Sequence, residues 1–154
     1  LFAFSLEWLE MLEKKIENLP NVTAFNVAAT REDGEMKLFR SAKFDNSPTR
    51  LTKSSSLVAS KKNVDEKNMV VVKTINFINF LKSLDNSVKL LKIDIEGGEV
   101  DLMESLFESG DIDLIENIFV ETHERDIPSF IHRTNTLKQQ SNLYPKSNIN
   151  WDWH

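Results

Sequence analysis

The run Val88 to Ile95 (VKLLKIDI) is mostly apolar, ends in charged residues and is followed closely by two adjacent glycines. The segment Glu99 to Glu108 then places its apolar residues at the spacing of one helical face. The run Ile115 to Glu121 (IENIFVE) repeats the apolar-to-acidic pattern, and a helix is predicted from about Pro128 to Leu143, with proline near its first turn. Strands that alternate with helices in this way predict a parallel α/β sheet.

The N-terminal part of the chain predicts further strands around an amphipathic helix. A short apolar strand at Leu1 to Phe4 precedes a helix over Leu6 to Asn18, whose apolar residues recur at three- and four-residue spacing. A second strand is predicted at Val22 to Val27. The turn residues Glu32 to Gly34 then lead into Glu35 to Arg40, which we interpret as the arm of a hairpin.

A polar segment separates these elements from the rest of the sheet. Ser41 to Asn68 is rich in Ser, Lys and Asn and has no period, which predicts a long surface loop within the domain. Met69 to Ile75 (MVVVKTI) has the β-branched content of a strand, and Asn76 to Leu84 has helical spacing. These two segments are interpreted as an edge strand and a helix that covers it.

Composition narrows the class of protein. A chain of 154 residues with 40% hydrophobic content is predicted to form one domain, residues 1–154. Its net charge of −5 and scattered basic residues disfavour nucleic acid as a partner. The lack of cysteine excludes disulfides, thiolate catalysis and cysteine-ligated zinc. No apolar run is long enough to cross a bilayer and no signal peptide is evident, so a cytoplasmic location is expected.

Polar residues stand where three of the apolar runs stop. In an open parallel sheet, ligands bind beyond the carboxyl ends of the strands, so these residues are the candidates for chemistry. They are Asp94, Glu96 and Glu99 after one run, Glu121, His123 and Glu124 after another, and Ser5 and Glu7 after the first strand. Several carboxylates and one imidazole at a single crevice suit a general base or a hard metal ion.

Structural interpretations of the same residues stay open. Asp94 and Glu96 next to a helix N-terminus could be caps, and the adjacent glycines could belong to an ordinary loop. Glu121 and His123 could be solvent-facing residues at a strand end. From the residues alone, the chain is therefore an α/β protein with an acidic cleft.

The string Lys92 to Glu99 (KIDIEGGE) resembles the K-(I/V)-D-(I/V)-E-G-(A/G)-E motif of the FkbM-type methyltransferase family. Other segments fall in the family's order. They are Asn26 to Ala29 followed by Asp33 to Glu35, Val72 to Ile75 with Leu81, and Phe119 to His123, which is similar to a closing V-E-x-H. The resemblance extends over nearly the whole chain to about Glu124.

The resemblance implies an S-adenosylmethionine-dependent O-methyltransferase that acts on a hydroxyl of a sugar, glycolipid or polyketide-like acceptor. It implies the class I, Rossmann-like methyltransferase fold, a mostly parallel sheet with helices on both faces. The implied catalytic residues are Asp94, Glu121 and His123. The implied cofactor-binding residues are Ser5, Glu7, Ala28, Asp94, Glu96 and Gly97. Catalysis by a base is favoured and no metal is predicted, because neutral imidazole can act as a base near pH 7 without one.

Two departures from the family pattern bear on cofactor binding. Phe4 is followed by Ser5 and Leu6, where the family usually has F-E-P, and the glycine-rich segment of the first strand is not among these residues. The chain is therefore expected to be a fragment that binds the cofactor weakly alone, or to gain the missing strand from another chain. A homo-oligomer formed through exposed strand edges would follow from the second case.

Two functions of other classes compete with methyl transfer. One is a non-catalytic domain that binds a partner through its strand edges. The other is a metal-dependent hydrolase with Asp94, Glu96, Glu121 and His123 as ligands. The tail, with Trp151, Trp153 and His154, is interpreted either as a sugar-binding surface or as core packing.

Overall fold

A computed structural model describes residues 6–41, 43–44 and 55–153. Within them the helices are α1 (Leu6–Ile16), α2 (Phe77–Lys82), α3 (Glu99–Ser109) and α4 (Ile131–Gln140). The strands are β1 (Ala28–Thr30), β2 (Gly34–Arg40), β3 (Asp65–Asn76), β4 (Leu91–Ile93), β5 (Asn117–Val120) and β6 (Asn148–Asn150). Short 3-10 turns lie at Asp111–Leu114, Pro128–Phe130 and Ser141–Leu143. The chain is thus a mixed α/β protein, as predicted.

Helix α1 confirms the amphipathic helix predicted near the N-terminus. Its apolar residues Leu9, Leu12 and Ile16 are half-buried, and lysines in its last turn favour the negative end of the helix dipole. The strand predicted at Leu1 to Phe4 lies outside the described residues.

The first sheet has the order β1-β3-β2, with β1 parallel and β2 antiparallel to β3. The strand predicted at Val22 to Val27 is wrong, because the described parallel ladder begins later, where Ala28 pairs with Thr74. The predicted hairpin is also wrong, since β3 lies between β1 and β2. The segment Met69 to Ile75 therefore belongs to a central strand of this sheet and not to an edge.

The turn between β1 and β2 is hydrogen-bonded to the end of β3, the strand that lies between them. The Glu32 carbonyl accepts a hydrogen bond from the Thr74 hydroxyl at 2.9 Å, and the Asp33 carboxylate accepts one from the Asn76 amide at 3.0 Å. Gly34, at φ 150°, then begins β2 opposite Thr74. These hydrogen bonds to β3 satisfy polar groups of the turn. The composition of the turn alone does not predict that its partner is β3.

The segment predicted as a surface loop differs from that prediction where it is described. Strand β3 already begins at Asp65, and Ser55, Ser56 and Lys61 are buried. Ser56 also forms an antiparallel bridge with Phe39. The polar composition of this segment predicted that it would be exposed. Some of its polar side chains instead bind buried polar groups of the fold, so those groups keep a partner although they are buried.

The second sheet is parallel and has the order β4-β5-β6. Strands β4 and β5 and helices α3 and α4 confirm the predicted elements, whereas β6 is short, polar and was not predicted. Helix α3 ends at Gly110, whose φ of 74° is the left-handed conformation that closes many helices.

Apolar packing between α3 and the second sheet fixes the ends of β4 and β5. Met103 and Leu106 of α3 are fully buried, as are Ile118 and Val120 of β5. Burying a side chain of this kind stabilises the folded state by about 1.5 to 3 kcal/mol. The strand ends, where the polar residues begin, are therefore held by a rigid core. No helix among the described residues is long and apolar enough to span a bilayer.

Candidate functional site

The candidate site begins where β4 and β5 end side by side. Ile93 and Val120, the last residues of these parallel strands, are paired, and the Glu121 amide donates to the Ile93 carbonyl at 2.9 Å. The residues that follow each strand therefore meet at one edge of the sheet, as the sequence predicted.

The turn after β4 has an unusual backbone. Glu96 has φ 56° and Gly97 has φ 110°, so two successive residues depart from the usual regions of backbone space. A Cβ on Gly97 would overlap Ile127 Cδ1 and would lie 3.2 Å from Val58 Cγ2. Position 97 therefore favours glycine for two reasons, the close packing and the unusual dihedral angle.

Glu99 joins the two strand-end segments from the first position of α3. Its side chain is 1% exposed. Oε2 accepts from the Gly97 amide at 2.7 Å, and Oε1 lies 3.1 Å from the His123 amide and 2.8 Å from His123 Nδ1. A buried carboxylate with this many partners is well satisfied, and it orients the His123 ring.

His123 lies between two carboxylates. Its Nε2 is 3.3 Å from Glu96 Oε2, and its side chain is 11% exposed. Burial alone would lower the pKa of His123, but the hydrogen bond to Glu99 and the charges of Glu99 and Glu96 outweigh burial and raise it. The surroundings therefore stabilise the imidazolium form.

Glu96 forms an ion pair with Lys61, whose side chain is 1% exposed. Burial is the main cause that raises the pKa of Glu96, while Lys61 and His123 oppose that rise. Lys61 was not among the predicted site residues, because it lies 35 residues before Glu96 in a polar segment that carries no recognisable motif.

The other predicted catalytic residues, Asp94 and Glu121, follow β4 and β5 directly. Asp94 is exposed and forms a 2.9 Å ion pair with Lys92, and Glu121 is half-buried. Glu124 turns toward Lys138, at 3.5 Å. Of the acidic groups at the strand ends, Asp94 and Glu96 therefore lie with His123, while Glu124 belongs to a separate pair.

Of the predicted cofactor-binding residues, Asp94, Glu96 and Gly97 lie just after the end of β4. Ala28 is buried in β1, Glu7 is in α1, and Ser5 lies outside the described residues. A cavity of about 330 Å³ lies between the turn at residues 30–34 and the start of α3, where Gly98 lines it. Since Gly98 follows Gly97, the cavity opens beside the site.

Three side chains at the ends of β4 and β5 could hold a metal ion. One ligand atom each from Asp94, Glu96 and His123 lies within 4.8 Å of the other two. Two carboxylates and an imidazole form a chemically plausible donor set for a divalent cation. The same groups, with Glu99 orienting the imidazole, also form an acid–base arrangement that needs no metal.

The comparison with protein families gives one result. A family model described as the methyltransferase FkbM domain matches residues 7–144. No match to a curated protein or to a solved structure is significant.

Proposed function

The chain belongs to the FkbM methyltransferase family, and from this premise we propose that it is an S-adenosylmethionine-dependent O-methyltransferase. Its proposed acceptor is a hydroxyl of a sugar, glycolipid or polyketide-like molecule. Its proposed fold is the Rossmann-like class I methyltransferase fold. The mixed α/β architecture, with a parallel sheet over β4 and β5, supports this fold.

The observation that carries the proposal is the bond between Glu99 and His123 at the strand ends. With Glu99 accepting at 2.8 Å, neutral His123 carries its proton on Nδ1 and leaves Nε2 as the basic atom. When Nε2 takes up a proton, the charges of Glu99 and Glu96 stabilise the imidazolium. A general base of this kind contributes about 10²- to 10⁴-fold to a reaction rate.

The carboxylates of the site also suit the positive charge of the methyl donor. When bound, S-adenosylmethionine supplies an electrophilic methyl group on a positively charged sulfonium. Asp94 is proposed to orient the donor or the acceptor at the end of β4, and Glu121, directly after β5, is the alternative base to His123. The acceptor hydroxyl gives its proton to Nε2 of His123 as its oxygen attacks the methyl carbon and the carbon–sulfur bond breaks.

The proposed donor site includes the backbone near Ala28 and the turn at Glu96 and Gly97. The neighbouring cavity of about 330 Å³ has the size of a small-molecule site. Ser5 and Glu7 remain proposed contacts to the donor's ribose.

The test is transfer of a radiolabelled methyl group from S-adenosylmethionine by the intact gene product that carries these residues. His123→Gln should lower kcat by at least about 100-fold while calorimetry shows unchanged donor binding. His132→Gln, at an exposed histidine of α4, is the matched control. Intact protein that neither binds nor consumes the donor would contradict the proposal.

A metal-dependent hydrolase is the second candidate. The convergence of Asp94, Glu96 and His123 is the observation that favours it. Chelator treatment separates the candidates, because methyl transfer by a histidine base survives it, whereas a hydrolase of this type loses activity and regains it with the metal.

A further inference from the structure

Lys61 is a buried cation at the centre of the candidate site. Its side chain is 1% exposed and its ammonium group contacts Glu96 Oε2, which is also 3.3 Å from His123 Nε2. A lysine is almost never fully buried unless it is paired. The position of this ammonium group therefore depends on the carboxylate of the site.

The backbone on both sides of Lys61 is tied to the two strand-end segments. The Ser56 hydroxyl donates to the Glu96 carbonyl at 2.5 Å, and the Lys62 amide donates to the Asp126 carbonyl at 3.1 Å. Ser56 is further fixed to β2 through its bridge with Phe39. Because both flanks are held, the Lys61 side chain enters the site from a fixed direction.

A cation at this point changes what else the cluster can bind. Asp94, Glu96 and His123 are the one group within the described residues that could converge on a metal ion. A divalent ion would need Glu96 Oε2 as a ligand, but the Lys61 ammonium group already contacts that oxygen. Two cations this close repel each other strongly where burial limits screening by water.

We propose that Lys61 is the built-in cation of this site, which positions Glu96 beside His123 and excludes a divalent metal. The inference rests on the proposed function for the identity of the site, and it makes Lys61 a positioning residue of a metal-independent methyltransferase. It also accounts for a cluster of metal-ligand type in a site whose proposed chemistry uses a histidine base.

The experiment measures Mn²⁺ binding to the intact protein by the loss of the free-ion electron paramagnetic resonance signal. Wild-type protein should show no saturable binding at millimolar Mn²⁺. Lys61→Met removes the charge and keeps much of the side-chain volume, so this variant should bind one Mn²⁺ at least about tenfold more tightly than wild type. Added Mn²⁺ should also raise the melting temperature of the variant alone.

Three further variants control for charge and for folding. Lys62→Met removes the neighbouring lysine, which is exposed, and should leave Mn²⁺ binding as in wild type. Lys61→Arg keeps the positive charge and should likewise show no gain. If Lys61→Met does not fold, Lys61→Gln takes its place, because its amide can still donate to Glu96, and it should show the same gain in Mn²⁺ binding.

Two results would overturn the inference. One is saturable Mn²⁺ binding by wild-type protein that Asp94→Asn abolishes. The other is a folded Lys61→Met or Lys61→Gln variant that gains no Mn²⁺ binding. Both are measured without methyl transfer, so an error in the proposed activity would leave these results unchanged.

Discussion

Gly97 tests how tightly the turn after β4 is packed. Gly97→Ala must accept φ 110° and an overlap with Ile127, whereas Gly110→Ala meets φ 74° with no heavy atom of the described part of the chain within 4 Å of the new Cβ. Backbone strain alone costs about 1 to 3 kcal/mol, and overpacking adds about 1 to 3 kcal/mol. We expect Gly97→Ala to lose about 2 to 6 kcal/mol of unfolding free energy and Gly110→Ala about 1 to 2 kcal/mol. Urea denaturation of both variants measures the difference, and equal losses would contradict the packing argument.

The raised pKa of His123 predicts how the stability of the folded protein changes with pH. Burial lowers the pKa of His123, but the hydrogen bond to Glu99 and the nearby carboxylate charges outweigh burial and raise this pKa above its usual 6.5, so the folded state binds a proton more tightly than the unfolded state. The resulting stabilisation is full below pH 6.5 and is lost as pH rises through the folded pKa. The difference in unfolding free energy between wild type and His123→Gln should therefore shrink as pH rises through this window.

Glu96 contributes in the same direction at lower pH, because burial raises the pKa of its carboxyl above the usual 4.5. The two contributions can be separated by NMR titration of the His123 ring in wild type and in Glu99→Gln. Loss of the Glu99 charge should lower the pKa of His123. An unchanged or higher value in Glu99→Gln would show that Glu99 is not its main support.

At the scale of elements, the segment from Ser55 to Val64 attaches the first sheet to the site. Ser56 Oγ donates to the Glu96 carbonyl at 2.5 Å and accepts from the Val58 amide at 3.0 Å. Ser56→Ala should therefore cost about 1 to 3 kcal/mol, since it leaves buried groups without partners. Ser55→Ala is the matched control, because the buried Ser55 hydroxyl has no hydrogen-bond partner among the described residues, and its removal should be neutral or stabilising. Thermal melts of the two variants measure this, and a larger loss for Ser55→Ala would contradict it.

Sequence pattern predicted the elements whose own residues determine them. The apolar run of β4, the two glycines and the helical face of α3 form a local unit, and the meeting of Glu96 and His123 followed from parallel neighbouring strands. Lys61 and β6 could not be predicted in this way. Lys61 is placed by partners distant in sequence, and β6 (NIN) is a strand only because it pairs with β5. The wrong strand and hairpin near β1 have the same cause, since the position of β3 decides that pairing.

At the scale of the whole molecule, α3 connects the two sheets through one carboxylate. Glu104 accepts from Arg133 of α4 at 2.8 and 2.5 Å, and its Oε2 also lies 3.1 Å from Arg31, just after β1. Hydrogen bonds with Arg133 are the main cause that lowers the pKa of Glu104. Because Arg31 follows β1 of the first sheet and Arg133 lies in α4, between β5 and β6 of the second sheet, this carboxylate contributes to how firmly the two sheets are held together.

Removing that charge should weaken the link in a pH-dependent way. Glu104→Gln should lose about 1 to 2 kcal/mol at neutral pH, because its charged hydrogen bonds are only partly exposed, with 25% of the side chain accessible. Glu108, whose side chain is 65% exposed, pairs with the same Arg31, and Glu108→Gln should change stability by less than about 0.5 kcal/mol.

Since the pKa of Glu104 is lowered from 4.5, the stabilisation that its charge contributes is present above pH 4.5 and is lost as pH falls through the folded pKa. Urea denaturation of wild type and both variants from neutral to acidic pH measures this. A difference between wild type and Glu104→Gln that persists undiminished in acid would show that the side chain acts through packing and not through its charge.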